Sequence, residues 1–323
     1  MQRLLAALAS TAAAWLLAGC AGVPLAGPEQ VAPVAELSRT PHFAQQERQC
    51  GPAVLATLLA SAGVRDAGGA TITPQTLEPE VYLPARGGSL QIEMLAAARR
   101  HGAFAVPVPG TVAAVADELR AGHPVAVLLN LGLPVAPLWH YAVVVGVEDG
   151  GARLVLRSGA SERMVMSRFT FEQTWARSGR WAFVATVVGD LPVAADEAAL
   201  VAAAVAFERA APAAEAVKAY AAVVARHPGN LTAAIGLGNA RAAAGDVAGA
   251  IVAFEAAARR FDSAPAWINL AQLRLERGDV PGAADAAERA LRRSREDEPR
   301  WADEAAAVVA AATLASRPGQ ATR

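Results

Sequence analysis

Two patterns of apolar residues divide the chain. Residues 41–190 combine short helical segments with runs rich in Val and Leu, whereas residues beyond 196 repeat an alanine-rich helical pattern. Strands are predicted at 124–130, 139–147, 153–157 and 182–188, with a turn at 148–151. The pattern therefore predicts an α+β domain over 41–190, followed by an all-α domain over 191–323.

The all-α part contains three blocks of similar pattern, at 197–230, 231–263 and 264–296. The Gly-Asp pair at 245–246 recurs at 278–279, and Ala250 recurs as Ala283. The pattern resembles the tetratricopeptide repeat. This resemblance implies stacked antiparallel helix pairs whose groove binds a partner protein or peptide, with a capping helix predicted at 301–316. The alternative is an alanine-rich helical bundle whose periodicity is accidental.

The composition and charge of the chain argue against several kinds of ligand. With 54% hydrophobic and 18% charged residues, the chain has enough apolar material to fold. The 29 basic and 30 acidic residues give a net charge of −1, so no nucleic-acid partner is expected. Cys, His and carboxylate residues show no metal-site spacing. The loop 86–89 lacks the spacing of a phosphate motif, and Ser89 is interpreted as a helix N-cap, so no cofactor is expected.

The first residues have the pattern of a signal peptide. Arg3 precedes an apolar run over 4–18, which is shorter than the roughly 20 residues needed to span a bilayer. The string LAGC at 17–20 resembles the lipobox of bacterial lipoproteins. This resemblance implies removal of 1–19 and a lipid on Cys20, and Ala21 implies the outer membrane facing the periplasm. Residues 20–40, rich in Pro and Ala, are predicted to be a tether.

Cys50 stands at the predicted start of a helix that Gly63 closes. The unpaired N–H groups and dipole of a helix N-terminus favour a thiolate, which is the nucleophilic form of cysteine. A small buried core thiol is the alternative interpretation. The helix carries Pro52 in its first turn and a predicted apolar stripe of Val54, Leu55, Leu58 and Leu59.

Two further residue types complete a candidate catalytic group. The side-chain amide of Gln45 or Gln46 is expected beside the thiol, where it would stabilise an oxyanion. His140 opens a predicted strand and is the candidate base for Cys50, and His42 is the second candidate. The remaining histidines fit structural roles at helix ends or turns: His101, His123 and His227.

Together, Gln45, the CGP string at 50–52, its helix, and the His140-Tyr141 strand resemble the bacteriocin-processing, double-glycine leader peptidase superfamily of papain-like cysteine peptidases. With the lipobox and the repeats, the chain is similar to the bacterial lipoprotein branch of that superfamily. The resemblance implies a papain-like α+β fold with a Cys50 and His140 nucleophile pair and an oxyanion hole lined by Gln45. It also implies cleavage of a peptide or protein substrate through an acyl-enzyme.

One position departs from that family. Its members usually place Asp or Asn after the strand that follows the histidine, and this chain has Ser158, which is uncharged. Glu148 and Asp149 are expected at the far end of the hairpin, out of reach. Three functions stay open: a lipid-anchored periplasmic cysteine peptidase, a non-catalytic peptide-binding scaffold, and another acyl transfer by an amidase or transpeptidase. Cys50, His140 and Gln45 favour the first, whereas Ser158 favours the second.

Overall fold

The computed structural model describes residues 31–45 and 49–317. The predicted signal peptide, Cys20 and Gln46 lie outside this part. The helices of the first domain are α1 (Cys50–Ser61), α2 (Pro74–Val81), α3 (Gln91–Arg100), α4 (Val112–Arg120) and α5 (Arg168–Ala176). Its strands are β1 (Tyr82–Leu83), β2 (Gly88–Ser89), β3 (Phe104–Pro107), β4 (Val125–Asn130), β5 (Trp139–Glu148), β6 (Arg153–Ser158), β7 (Ser161–Ser167) and β8 (Ala182–Thr186).

Six of these strands form one antiparallel sheet in the order β3-β8-β4-β5-β6-β7. Apolar side chains of α1 and α3 pack on one face, and those of α4 and α5 pack on the other. β5 lies between β4 and β6 and pairs with β4 over its first six residues. Strands β1 and β2 form a separate small hairpin. The four predicted strands are confirmed, and β3 and β7 were not predicted.

Helix α1 is surrounded by protein on all sides. The predicted apolar stripe of Val54, Leu55, Leu58 and Leu59 lies in the core, and the rest of the helix from Gly51 to Leu59 is buried as well. The helix is enclosed because it packs against α2, α3 and the sheet at once. It ends as predicted, with Gly63 in the left-handed region at φ +70°.

Residues 31–40, which the sequence assigns to the tether, pack instead against the first domain. Val34 exchanges backbone hydrogen bonds with Val147 of β5, at 2.9 and 3.1 Å. Glu36 accepts a 2.7 Å hydrogen bond from Arg157, which is buried. The described end of the predicted tether is therefore part of the folded domain.

The second domain consists of three antiparallel helix pairs and a final helix. The pairs are α6 (Glu197–Glu208) with α7 (Ala213–Arg226), α8 (Leu231–Ala243) with α9 (Val247–Phe261), and α10 (Ala264–Glu276) with α11 (Val280–Glu296). Gly245 and Gly278 turn between helices at φ +81° and +77°, and Asp246 and Asp279 cap the helices that follow. Helix α12 (Ala302–Ala315) follows as predicted. The predicted α+β domain followed by an all-α array is confirmed.

The two domains share a hydrophobic cluster. Phe104 of β3 meets Phe207 of α6 edge to face, with ring centroids 6.0 Å apart, and both side chains are fully buried. Val106 and Leu200 belong to the same cluster. The first helix pair therefore packs on the sheet as well as on the next pair.

The segment 187–196, which connects the two domains, forms hydrogen bonds with both of them. His123, before β4, bonds Asp190, and Arg226 of α7 donates to the carbonyls of Leu191 and Pro192. None of the helices in the described part of the chain combines the length and apolar character that crossing a membrane requires.

Candidate active site

Cys50 is the first residue of α1 and lies on the wall of a cavity of ≈ 440 Å³. Its side chain is partly exposed and forms no disulfide. Gln49 precedes it, buried, with its amide donating to Glu78 at 2.9 Å. The side chain of the N-cap residue Gln49 does not cap the helix, so no cap hydrogen bond from this residue satisfies the N–H groups of the first turn. This position supplies the positive end of a helix dipole beside the thiol.

The cavity lies between the β1–β2 hairpin with the loop after it and the ends of β4 and β5. On the hairpin side its wall contains residues 86–91. On the sheet side the wall contains residues with mostly apolar side chains: Leu128, Trp139, Tyr141 and Ser178. Trp139 and Tyr141 flank His140 in β5, so the nucleophile candidate and the segment carrying the base candidate border one cavity.

The side chain of His140 is held by Ser158. Its Nε2 lies 2.8 Å from Ser158 Oγ. When Nε2–H donates to this hydroxyl, Nδ1 is left as the nitrogen that can accept a proton. Nδ1 makes no hydrogen bond to the described residues. Burial lowers the pKa of His140, which favours the neutral ring.

Cys50 borders the same cavity as Trp139 and Tyr141, the neighbours of His140, but no hydrogen bond joins Cys50 and His140 among the described residues. The side chains of Tyr141 and Val143 lie on the face of the sheet that packs against α1. Because side chains alternate along a strand, His140 projects from the opposite side of β5. Burial, and then the charge of Cys50, raise the pKa of Tyr141, and the Cys50 side chain packs against the cluster that contains Tyr141. Direct proton transfer therefore requires the thiol and imidazole to approach further.

Gln45 lies at the same end of the sheet as His140 and Ser158. Its backbone N–H donates to the carbonyl of Gly159 at 3.0 Å, and its side-chain amide donates to the carbonyl of Tyr141 at 3.3 Å. Gln45 thus joins β5 through its side chain and the β6–β7 turn through its backbone, and it does not line the cavity of Cys50. The oxyanion role of Gln45 stays a prediction.

Ser89 is not the N-cap that the sequence suggested. It ends β2, and Leu90 occupies the N-cap position of α3. Its carbonyl accepts a 3.0 Å hydrogen bond from the Tyr141 hydroxyl, and its own Oγ is buried with no partner. A Cβ placed on Gly51 would lie 2.3 Å from this Oγ, so only glycine fits beside Cys50 without a shift of the hairpin.

The other candidate side chains lie elsewhere. Glu148 and Asp149 pair with Arg153, so no carboxylate among the described residues bonds His140. His42 has a buried Nε2 with no partner. The remaining histidines pair with carboxylates: His101 with Glu80, His123 with Glu118 and Asp190, and His227 with Glu197. In the described part of the chain, no three His, Cys, Asp or Glu side chains form a group that could hold a metal ion.

The helical array has a concave surface of its own. A groove of ≈ 630 Å³ runs across successive helix pairs. Its wall mixes apolar and amide side chains, including Tyr220, Ile235, Asn239, Asn269 and Trp301. Asn269 donates to Asn239 across neighbouring pairs at 3.3 Å. This surface offers apolar contacts and hydrogen-bonding groups to an extended ligand.

Several solved structures are similar to parts of this chain. A protein from Bacillus anthracis, provisionally assigned as a C39-like peptidase, is 18% identical over 48% of this chain and 98% of its own, with a TM-score of 0.41. The type III secretion translocator chaperone SycD of Yersinia enterocolitica is 19% identical over 36% of this chain and 92% of its own, with a TM-score of 0.34. Likenesses at this level assign neither a family nor an activity.

The Sgt2 TPR domain of Aspergillus fumigatus is 19% identical over 39% of this chain and 87% of its own, with a TM-score of 0.31. Neither a model of a known protein family nor the sequence of a curated protein matches the chain.

Proposed function

We propose that the chain is a lipid-anchored cysteine peptidase of the bacteriocin-processing, papain-like type, with a helical array that binds its substrate or a partner protein. The observation that carries the proposal is the 2.8 Å contact between His140 Nε2 and Ser158 Oγ. This contact leaves Nδ1 of His140 able to accept a proton, and the residues on either side of His140, Trp139 and Tyr141, border the cavity of Cys50. A side chain held in this way is suited to accept and return a proton.

The proposed reaction begins when the Cys50 sulfur attacks the carbonyl carbon of the scissile bond and its proton passes to His140 Nδ1. The resulting oxyanion lies near the N–H groups at the start of α1, and the Gln45 amide would assist if it turned from Tyr141. The C–N bond then breaks, and His140 protonates the leaving amine. Water, deprotonated by His140, hydrolyses the thioester and releases the acid and the Cys50 thiol.

A peptide-binding scaffold is the second candidate, because two observations favour it. Ser158 carries no charge to stabilise an imidazolium, and no hydrogen bond joins the thiol and imidazole among the described residues. In that case the cavity would hold a peptide without cleaving it. An amidase or transpeptidase would use the same two side chains and differ only in the acceptor.

The rate of Cys50 alkylation, followed against pH, separates the peptidase from the scaffold. We expect wild type to be alkylated faster than His140→Ala near neutral pH, because the imidazole would take the thiol proton and the thiolate is the reactive form. His101→Ala, which removes a histidine paired with Glu80, is the matched control. A wild-type profile near that of a free thiol, unchanged in His140→Ala, would establish the scaffold.

Membrane attachment is proposed through a lipid on Cys20, with the protein on the outer membrane facing the periplasm. The support is the LAGC string and the short apolar run before it. Metabolic labelling with a radioactive fatty acid tests this proposal. We expect wild type to be labelled and Cys20→Ser to remain unprocessed and unlabelled, and labelling of the variant would contradict the anchor.

A further inference from the structure

We propose that Arg86 makes the cavity selective for peptides that carry an acidic side chain within a few residues of the reacting bond. The inference deepens the proposed peptidase function and rests on it for the identity of the ligand as a peptide. Of the described residues that line the cavity wall, Arg86 alone is charged. The other residues of the wall are neutral: Cys50, Gly87, Gly88, Ser89, Leu90, Gln91, Leu128, Trp139, Tyr141 and Ser178.

The guanidinium of Arg86 has no partner in the described part of the chain. Arg86 is exposed, and it forms no ion pair or hydrogen bond with another described residue. Most arginines inside this domain do have partners, such as Arg157 with Glu36 and Arg99 with the Ala105 carbonyl. The charge of Arg86 is thus available to a ligand, and a guanidinium binds carboxylate through two parallel hydrogen bonds.

The backbone that carries Arg86 is fixed in relation to Cys50. Arg86 ends a short 3₁₀ turn, and Gly87 continues it at φ +62° into β2. Two residues after Gly87, the carbonyl of Ser89 accepts a hydrogen bond from the Tyr141 hydroxyl of β5, and the Ser89 side chain packs directly on Gly51. An anion bound by Arg86 would therefore sit at a restricted distance from the nucleophile.

The rest of the wall sets the surroundings of that anion. Leu128, Trp139 and Tyr141 present mainly apolar surface on the opposite side of the cavity. Apolar walls exclude water and strengthen a charge pair relative to one at an open surface. They also favour a ligand whose acidic residue has an apolar neighbour. A lysine in the acidic position would meet an uncompensated like charge.

The test measures binding to the Cys50→Ala protein, which separates recognition from chemistry. The probes are fluorescent hexapeptides of apolar residues that differ only in carrying Glu, Gln or Lys at one position, moved along the peptide. At one or two positions we expect Glu to bind about three- to tenfold more tightly than Gln, the range of a partly screened ion pair. Lys should bind more weakly than Gln there.

Substitutions of Arg86 then identify the group responsible. The ratio of Glu to Gln affinity should fall to about one in Arg86→Gln and invert in Arg86→Glu, because the charge pair is removed or reversed. Arg277→Glu is the matched control: Arg277 is exposed on the helical array and forms no ion pair with a described residue. It changes the net charge equally and should leave the ratio intact. Equal binding of Glu and Gln peptides at every position, a ratio that survives in Arg86→Gln, or no peptide binding would overturn the inference.

A second measurement shows which proposal fails. Peptidyl vinyl sulfones with the same Glu or Gln substitution alkylate an activated cysteine, so their rates report Cys50 in the wild-type protein. Acid-selective binding without any labelling of Cys50 would refute the peptidase and keep the selectivity of Arg86. Labelling at equal rates by the Glu and Gln probes would keep the peptidase and refute the selectivity.

Discussion

The ring of His140 is held by the hydroxyl of Ser158, with 2.8 Å between Nε2 and Oγ. The two residues lie on neighbouring strands, at the end of the hairpin opposite to Glu148 and Asp149. A hydroxyl can orient an imidazole but adds no negative charge to it. Ser158 therefore positions the His140 ring but does not stabilise its charged form, and burial lowers the pKa of His140.

Ser158→Asp should raise the pKa of His140, because a carboxylate beside Nε2 stabilises the charged ring. NMR titration of the His140 ring measures the change, and Ser158→Asn is the uncharged control of similar size. If charge limits the reaction, Ser158→Asp should also speed Cys50 alkylation, whereas Ser158→Ala should slow it by less than about tenfold. A His140 pKa that does not move in Ser158→Asp would show that the two side chains are not in contact in solution.

Gly51→Ala should destabilise the protein by about 1–3 kcal/mol, the usual cost of forcing an extra methyl group into a packed site. The reason is the 2.3 Å approach of the new Cβ to Ser89 Oγ. Denaturant unfolding gives the free energy, and Cys50 alkylation reports the local geometry. Adding Ser89→Gly to Gly51→Ala should recover part of the loss because it removes both clashing atoms. If the double variant is no more stable than expected from adding the two single changes, the clash is not the cause.

Phe207→Ala should cost about 3–5 kcal/mol, because it empties a fully buried site shared by the two domains. We also expect faster proteolysis within residues 187–196, since the contact with Phe104 that holds the domains together would be lost. Phe254→Ala, which empties a buried site inside the helical array, is the control. It should weaken the array without faster cleavage at 187–196, and equal cleavage in both variants would contradict the role of the shared cluster.

His123 should make folding stability depend on pH. Burial alone would lower the pKa of His123, but hydrogen bonds with Glu118 at 2.7 Å and Asp190 at 3.0 Å, and their charges, raise it above its ordinary value of 6.5. The folded state then binds the proton more tightly than the unfolded state. The stabilisation is complete below pH 6.5 and is lost as the pH rises through the raised pKa.

The measurement for this prediction is the free energy of unfolding of wild type and His123→Gln from pH 6 upward. At pH 6 the variant should be less stable by about 2 kcal/mol or more, since two charge-assisted hydrogen bonds are lost. The difference should shrink as the pH rises. The buried His140 acts in the opposite direction, with stability lost as the pH falls, but it is present in both proteins and cancels. A difference that is constant with pH would mean that His123 is not charged in the folded protein.

The sequence predicted the elements whose patterns are local. Helix α1 has Pro52 in its first turn and Gly63 after its end, and β4, β5 and β6 each contain a run of Val and Leu or Ala residues. Strand β3 was missed because it has four residues and ends in a proline. Strand β7 was missed because it is largely exposed and polar at the edge of the sheet.

Site contacts that depend on long-range packing could not be predicted in the same way. Placement at a helix start and on a strand suggested Cys50 and His140, and the family resemblance suggested Ser158. Neither indicated that Gln45 would donate to the Tyr141 carbonyl, 96 residues away. Ser89 looked like a helix cap because serine before a helical segment usually is one. Its contact with Gly51 depends on how the β1–β2 hairpin docks on α1, which no local pattern records.

The shared cluster between sheet and helices affects what happens when the chain is cut. Strand β3 is outermost in its sheet, and Phe104 and Val106 point from it into α6. A protein ending at residue 190 would leave these side chains in water, beside a row of backbone groups that no neighbouring strand occupies. Outermost strands in that condition pair with those of other molecules. By covering Phe104 and Val106, the helical array removes the apolar surface that would favour such pairing between copies.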